Sequence, residues 1–246
     1  MAKKKEHLYL VEYNFINIYI FCGILTAAFI FLTVGIYNWC NFSFINDFDA
    51  VVELFTGGEF VFCFVAMWVW LVLHEVIHGV SYILYGAKAK NIKYGVALEK
   101  GILYCKCGEY VDKRNICWSV INPFIYIGIV TLFLGFALES ILLIGLSLIN
   151  ISGACADICM FLFFIRRNKD MKYKEIKDSS TFLLKTTEDL KDKKFFAVKI
   201  KEELEKDEFK EDDKLITVTK ASKGILIFFG IILLIEIILN IILCFI

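Results

Sequence analysis

Five long apolar runs decide what this chain can fold into: residues 14–39, 60–85, 116–138, 141–165 and 225–246. Lipid offers backbone polar groups no partner, so a chain crosses a bilayer as helix, and a crossing takes roughly 20 mostly apolar residues. Each run meets that length, which predicts an all-α polytopic membrane protein with about five transmembrane helices. Composition agrees, with 59% hydrophobic residues and a mean hydropathy of +0.66. Lysine plus arginine balance aspartate plus glutamate at 27 each, so no global field draws nucleic acid. No internal repeat of fixed period stands out. The nine cysteines lie mostly inside apolar runs, where they pack as small hydrophobes, and Cys105-Lys106-Cys107 lacks the second half of a structural zinc site.

Lysines and arginines in the loops orient the helices. Lys3 to Lys5 put the N-terminus in the cytoplasm, and the run after them is too long for a signal-peptide core, so it reads as an anchor. Residues 41–59 carry no basic residue and fall outside. Lys88, Lys90, Lys93, Lys100, Lys106, Lys113 and Arg114 return the next loop to the cytoplasm, as does the basic stretch that begins at Arg166-Arg167. The expected organisation is a core over 1–165, a charged cytoplasmic segment over 166–223 and a last transmembrane helix over 224–246. Within the core, residues 91–107 read as a membrane-associated β-hairpin turning at Glu99-Lys100-Gly101. The cytoplasmic segment reads as a small solvated appendage, with strand-like runs over 195–200 and 215–219 and a helical 201–209.

The chemistry-bearing residues lie in the second run. His74 and His78 are four apart, on one helix face, and two imidazoles there can bind one zinc ion. Glu75 stands beside them, giving the H-E-x-x-H arrangement in which a carboxylate takes a proton from water while zinc polarises a carbonyl. All three sit inside a transmembrane run, where an ionisable side chain costs about 2.5–3.5 kcal/mol and faces a partner or a wet cavity. The remaining histidine, His7, precedes the first helix. Asp157, the acidic residue of the fourth run, is the candidate third ligand, because His78 and Asp157 lie at similar distances from the basic markers Lys88 and Arg166. Gly153 and Ala154 are small enough to admit a close helix approach, and Cys155 and Cys159 fall on the opposite helix face. Asn150, on the Asp157 face, can hydrogen-bond a substrate carbonyl or Asp157, or bridge helices. Asn122-Pro123 should break the third helix and free backbone carbonyls for a docking peptide, or serve as a packing kink. Glu236, with Asn240 one turn on, is an intramembrane carboxylate without an assigned role.

Leu73 to Gly79, Tyr104 to Cys107, Asn122-Pro123-Phe124 and Ser152 to Asp157, in this order, resemble a family of bacterial multi-pass zincin peptidases and, more distantly, the site-2 proteases. The latter resemblance implies His74, His78 and Asp157 as zinc ligands, Glu75 as base, and a hairpin that holds substrate extended. Ala156-Asp157-Ile158 departs from the leucine-aspartate-glycine context of site-2 proteases, and Asn122-Pro123 stands in a separate helix. The expected function is a zinc-dependent intramembrane peptidase of the cell membrane, acting on a membrane or membrane-proximal protein from the cytoplasmic side. The alternative is a non-catalytic metal-binding or structural protein, or a zinc carrier, although a transporter more often shows internal repeats.

Overall fold

The computed structural model describes residues 5–39, 59–97, 102–176 and 181–204. Helices dominate it. Helix α1 spans Phe15–Trp39 and α2 spans Glu59–Leu84. Helix α3, Lys113–Pro123, continues through a π-helical stretch, Phe124–Val130, into α4, Thr131–Ala137. Helices α5, Ile141–Gly153, and α6, Cys155–Ile165, meet at a 50° bend. Among the described residues three helices are long and apolar enough to cross a membrane, four if the bent pair counts as one span. The longest single stretch of α1, 22 residues, extends about 33 Å, the thickness of a hydrocarbon core. Its Ile16, Tyr19, Ile24 and Phe31 are exposed, as a lipid-facing helix requires. The expected helix over 225–246, with Glu236 and Asn240, and the strand-like run over 215–219 lie outside the described residues.

The chain holds more β-structure than an all-α plan provides. The predicted hairpin is present as β2, Ile92–Ala97, paired antiparallel with β3, Ile102–Cys107. The larger sheet was not foreseen. It takes β1, His7–Tyr13, from before the first helix and pairs it with both β6, Thr181–Thr186, and β7, Val198–Leu204. With β5, Lys172–Glu175, and the short β4, Val111–Asp112, the strand order is β4-β5-β6-β1-β7. Residues 201–204 extend β7 rather than start a helix, because Val198 and Ile200 pair with Tyr13 and Val11 and the ladder carries the backbone on to Leu204. The sheet gathers the N-terminus, the segment before α3 and the segment after α6 at one end of the helices.

This sheet is no loose appendage. Tyr9, Val11, Tyr173, Phe182 and Leu184 are buried in one cluster with Phe163 and Phe164 of α6. Phe164 and Tyr173 meet edge to face at 5.1 Å between ring centroids. Arg167 locks the junction: its guanidinium lies over the rings of Phe163 and Phe195 and donates to Glu188 at 2.9 Å.

Polar ties fix α3 against α2. The Asn115 amide donates to the Tyr82 carbonyl at 3.0 Å and the Asn122 amide to the Ser81 hydroxyl at 2.8 Å. In an apolar surround such bonds hold helices in register. Gly79 lets the hairpin settle on the same helix, since a Cβ there would collide with the Tyr94 ring and come within 3.2 Å of Cys105 Sγ.

Candidate metal centre

Helix α2 presents His74 and His78 one turn apart, and the bend between α5 and α6 swings Asp157, in the first turn of α6, onto them. His74 Nε2 lies 3.1 Å from Asp157 Oδ2 and 3.0 Å from His78 Nε2, which is 3.5 Å from the same carboxylate oxygen. Ligands held by a tetrahedral zinc at about 2.0–2.1 Å stand about 3.3 Å from one another. The triangle has the size such an ion needs, and among the described residues this is the one such group of histidine, cysteine and carboxylate side chains.

The outward-facing nitrogens fix the protonation of both rings. His78 Nδ1 is 2.7 Å from the Ser119 carbonyl, a pure acceptor, so it carries the proton. Ser119 is free to accept because its helical donor would be the N–H of residue 123, and residue 123 is proline. Pro123 therefore does release a carbonyl, but His78 takes it rather than a docking peptide, and the helix runs on as a π-helical stretch instead of breaking. His74 Nδ1 is 2.8 Å from Asn150 Oδ1. The Asn150 Nδ2 donates to the Pro123 carbonyl at 3.2 Å, which turns Oδ1 toward the ring and makes His74 Nδ1 the protonated nitrogen. Asn150 thus bridges helices; its partner is His74, not Asp157. Both Nε2 lone pairs and the Asp157 carboxylate converge on one point, an arrangement that calls for a cation.

Glu75 accepts a hydrogen bond from the Cys105 backbone N–H on β3. Cys155 and Cys159 turn away, as expected: the Cys155 thiol donates to the Ile151 carbonyl at 3.4 Å and faces α1, where Cys22 lies. Gly153 is not needed for close packing, since a Cβ there would meet nothing within 4 Å; with Ala154 it forms the bend that aims Asp157. His7 is remote, bonded to Glu203 at 2.7 Å. Cys105 and Cys107 are two buried thiols on β3.

A cavity of about 270 Å³ opens on the triad. Its walls are Glu75, Tyr82, Leu103 to Lys106 of the hairpin, and Met160 and Phe164 of α6, with Tyr13, Tyr173 and Glu175 contributed by the five-stranded sheet. These last three were missed in the sequence. The available signal was the alternation Lys172-Tyr173-Lys174-Glu175, a strand with lysines on one face and Tyr173 and Glu175 on the other.

The stretch that carries the triad and the hairpin can be compared with known families. Residues 67–172 match the family described as Putative zincin peptidase. The match covers less than half of the chain but includes His74, Glu75, His78, the hairpin, Asn122-Pro123 and Asp157, so the metal-capable group lies wholly inside a peptidase-family region. Glu175 and most of the five-stranded sheet lie outside the zincin-peptidase region. No curated protein and no solved structure matches the chain significantly.

Proposed function

We propose that this protein is a zinc-dependent intramembrane peptidase that hydrolyses a peptide bond of a membrane or membrane-proximal protein, with His74, His78 and Asp157 as zinc ligands and Glu75 as general base. The observation that carries the reading is the convergence of two Nδ1-protonated imidazoles and one carboxylate on a single point, beside a second carboxylate in an open cavity. Bound zinc supplies Lewis acidity, polarising a scissile carbonyl and acidifying a water. Glu75 takes the proton from that water and hands it to the departing amide nitrogen, leaving a carboxylic acid and an amine. The Cys105 N–H steadies the Glu75 carboxylate, Asn150 and the Ser119 carbonyl keep the imidazoles turned inward, and apolar walls limit bulk water.

The N-terminus, the hairpin and the 166–204 segment share one end of the helices and carry most of the basic residues, which supports a cytoplasmic location for that end and for the cavity. Strand β3 is the strand nearer Glu75, since Leu103 to Lys106 line the cavity and none of residues 92–97 does. A substrate segment held extended would pair along this edge rather than along β2.

The test is zinc content and cleavage in detergent-purified protein. Wild type should hold about one zinc per chain, His74→Ala and Asp157→Ala should lose most of it, and Glu75→Gln should keep the metal yet cleave nothing. A wild type that stays metal-free when zinc is replete refutes the proposal; a Glu75→Gln variant that still cleaves refutes the role of Glu75.

A further inference from the structure

The cavity contains a carboxylate that the peptidase chemistry does not use. Glu175 closes β5 on the inward face of the sheet, next to Tyr173, while Lys172 and Lys174 occupy the outward face. Its Oε1 accepts from the Tyr173 hydroxyl at 2.8 Å, and the Tyr173 hydroxyl lies 3.5 Å from that of Tyr13. The Cys107 backbone N–H also reaches this carboxyl. Oε2 is shut off from solvent and has no hydrogen-bond partner among the described residues. A buried acceptor left unmatched costs about 1–3 kcal/mol, and such a group in a binding cavity points to a ligand that completes it.

The surroundings indicate which kind. A carboxylate accepts hydrogen bonds and donates none, so its complement is a donor, and a cationic donor gains most. The walls beside it are the rings of Tyr13, Tyr82, Tyr104, Phe164 and Tyr173, surfaces along which an alkyl stem packs and over which a cation is attracted. The nearby Lys106 ammonium attracts this carboxyl but makes its own contacts, 3.4 Å from the Ile176 carbonyl and 4.6 Å from the centroid of the Tyr104 ring. Glu175 and the metal triad line one cavity of about 270 Å³, so a side chain that meets Glu175 belongs to a residue close to the scissile bond.

We infer that Glu175 is the specificity residue of this site, and that the peptides it favours carry a lysine or arginine close to the bond to be cut. The inference rests on the peptidase reading for the word substrate, but the cation subsite has its own test. At pH 8, where Glu175 is ionised, full-length, zinc-loaded Glu75→Gln protein in detergent is titrated with short fluorescein-labelled peptides that differ at one central position, lysine against norleucine, and binding is read by anisotropy. The lysine peptide should bind about tenfold tighter. Adding Glu175→Gln should abolish the difference while zinc content stays unchanged, and Glu175→Lys should shift preference to a glutamate-bearing peptide. Equal affinity for the lysine and norleucine peptides, or a lysine preference that survives Glu175→Gln, overturns the inference. Hydrolysis of the lysine peptide by wild type is followed in parallel: a Glu175-dependent preference without hydrolysis leaves the subsite standing and removes the peptidase reading.

Discussion

Replacing Asn150 with leucine tests whether the metal centre depends on ligand orientation as well as on ligand identity. Asn150 is 2% exposed and makes two bonds, Oδ1 to His74 Nδ1 at 2.8 Å and Nδ2 to the Pro123 carbonyl at 3.2 Å. Leucine is close in volume and makes neither. It strands the His74 Nδ1–H and the Pro123 carbonyl, each at a cost of about 1–3 kcal/mol, and lets the imidazole turn or change tautomer so that Nε2 no longer faces Asp157. Loss of such an outer partner weakens metal binding by about 10- to 100-fold, or about 1.4–2.7 kcal/mol. Zinc affinity measured by competition with a chromophoric chelator should fall by that factor, with thermal unfolding reporting the stability loss separately. Asn150→Asp keeps an acceptor toward His74 and should retain more affinity than leucine. A folded Asn150→Leu protein that binds zinc within about twofold of wild type would refute the reasoning.

Pro123→Ala restores an N–H that competes with His78 for the Ser119 carbonyl; helix stability should hold or rise while zinc affinity falls up to about tenfold, and unchanged affinity would break the link between Pro123 and the site. Gly79→Ala should push Tyr94 off α2 at a cost of about 1–3 kcal/mol, and Tyr94→Ala should recover part of that loss, so additive effects in the double variant would argue against the contact. Arg167→Ala removes two ring contacts and the Glu188 pair and should cost about 2 kcal/mol in thermal unfolding, with Arg167→Lys intermediate; equal melting of all three proteins would discount that junction. Burial pushes the Glu175 carboxyl up from 4.5 to about 7, against the pull of Tyr173, Lys106 and His78. Above pH 4.5 the unfolded chain ionises this group while the folded one resists, so its stabilising effect is full below pH 4.5 and is lost as pH rises toward 7. The two values cap the loss at about 3 kcal/mol. Metal-free Glu175→Gln should therefore melt above wild type at pH 8 and level with it at pH 4, and an equal difference at both values would contradict the assignment.

Much of the site was legible one residue at a time. H-E-x-x-H puts two imidazoles on one helix face by spacing alone, and an aspartate in an apolar run is conspicuous because lipid penalises it; equal depth then paired Asp157 with His78, and the structure brings their side chains together. Asn150 bridges helices, as one of its readings had it, and Pro123 frees a carbonyl as expected, but His74 and His78 as the groups that use them were not foreseen. Which atom a buried amide faces, or which group collects a carbonyl that proline leaves free, depends on the neighbouring helix rather than on the residue's own segment.

The sequence by itself determined the helices apolar enough to cross a membrane among the described residues, the hairpin and the metal-capable residues, since each follows from a local quantity: run length, alternation, spacing or the cost of burying charge. Tertiary structure alone decided that β1 lies between β6 and β7, two strands that are far from it in the chain. That pairing sets Tyr13, Tyr173 and Glu175 over the triad. An isolated strand leaves its backbone N–H and C=O groups without protein partners, and nothing in its own residues names the strand that supplies them.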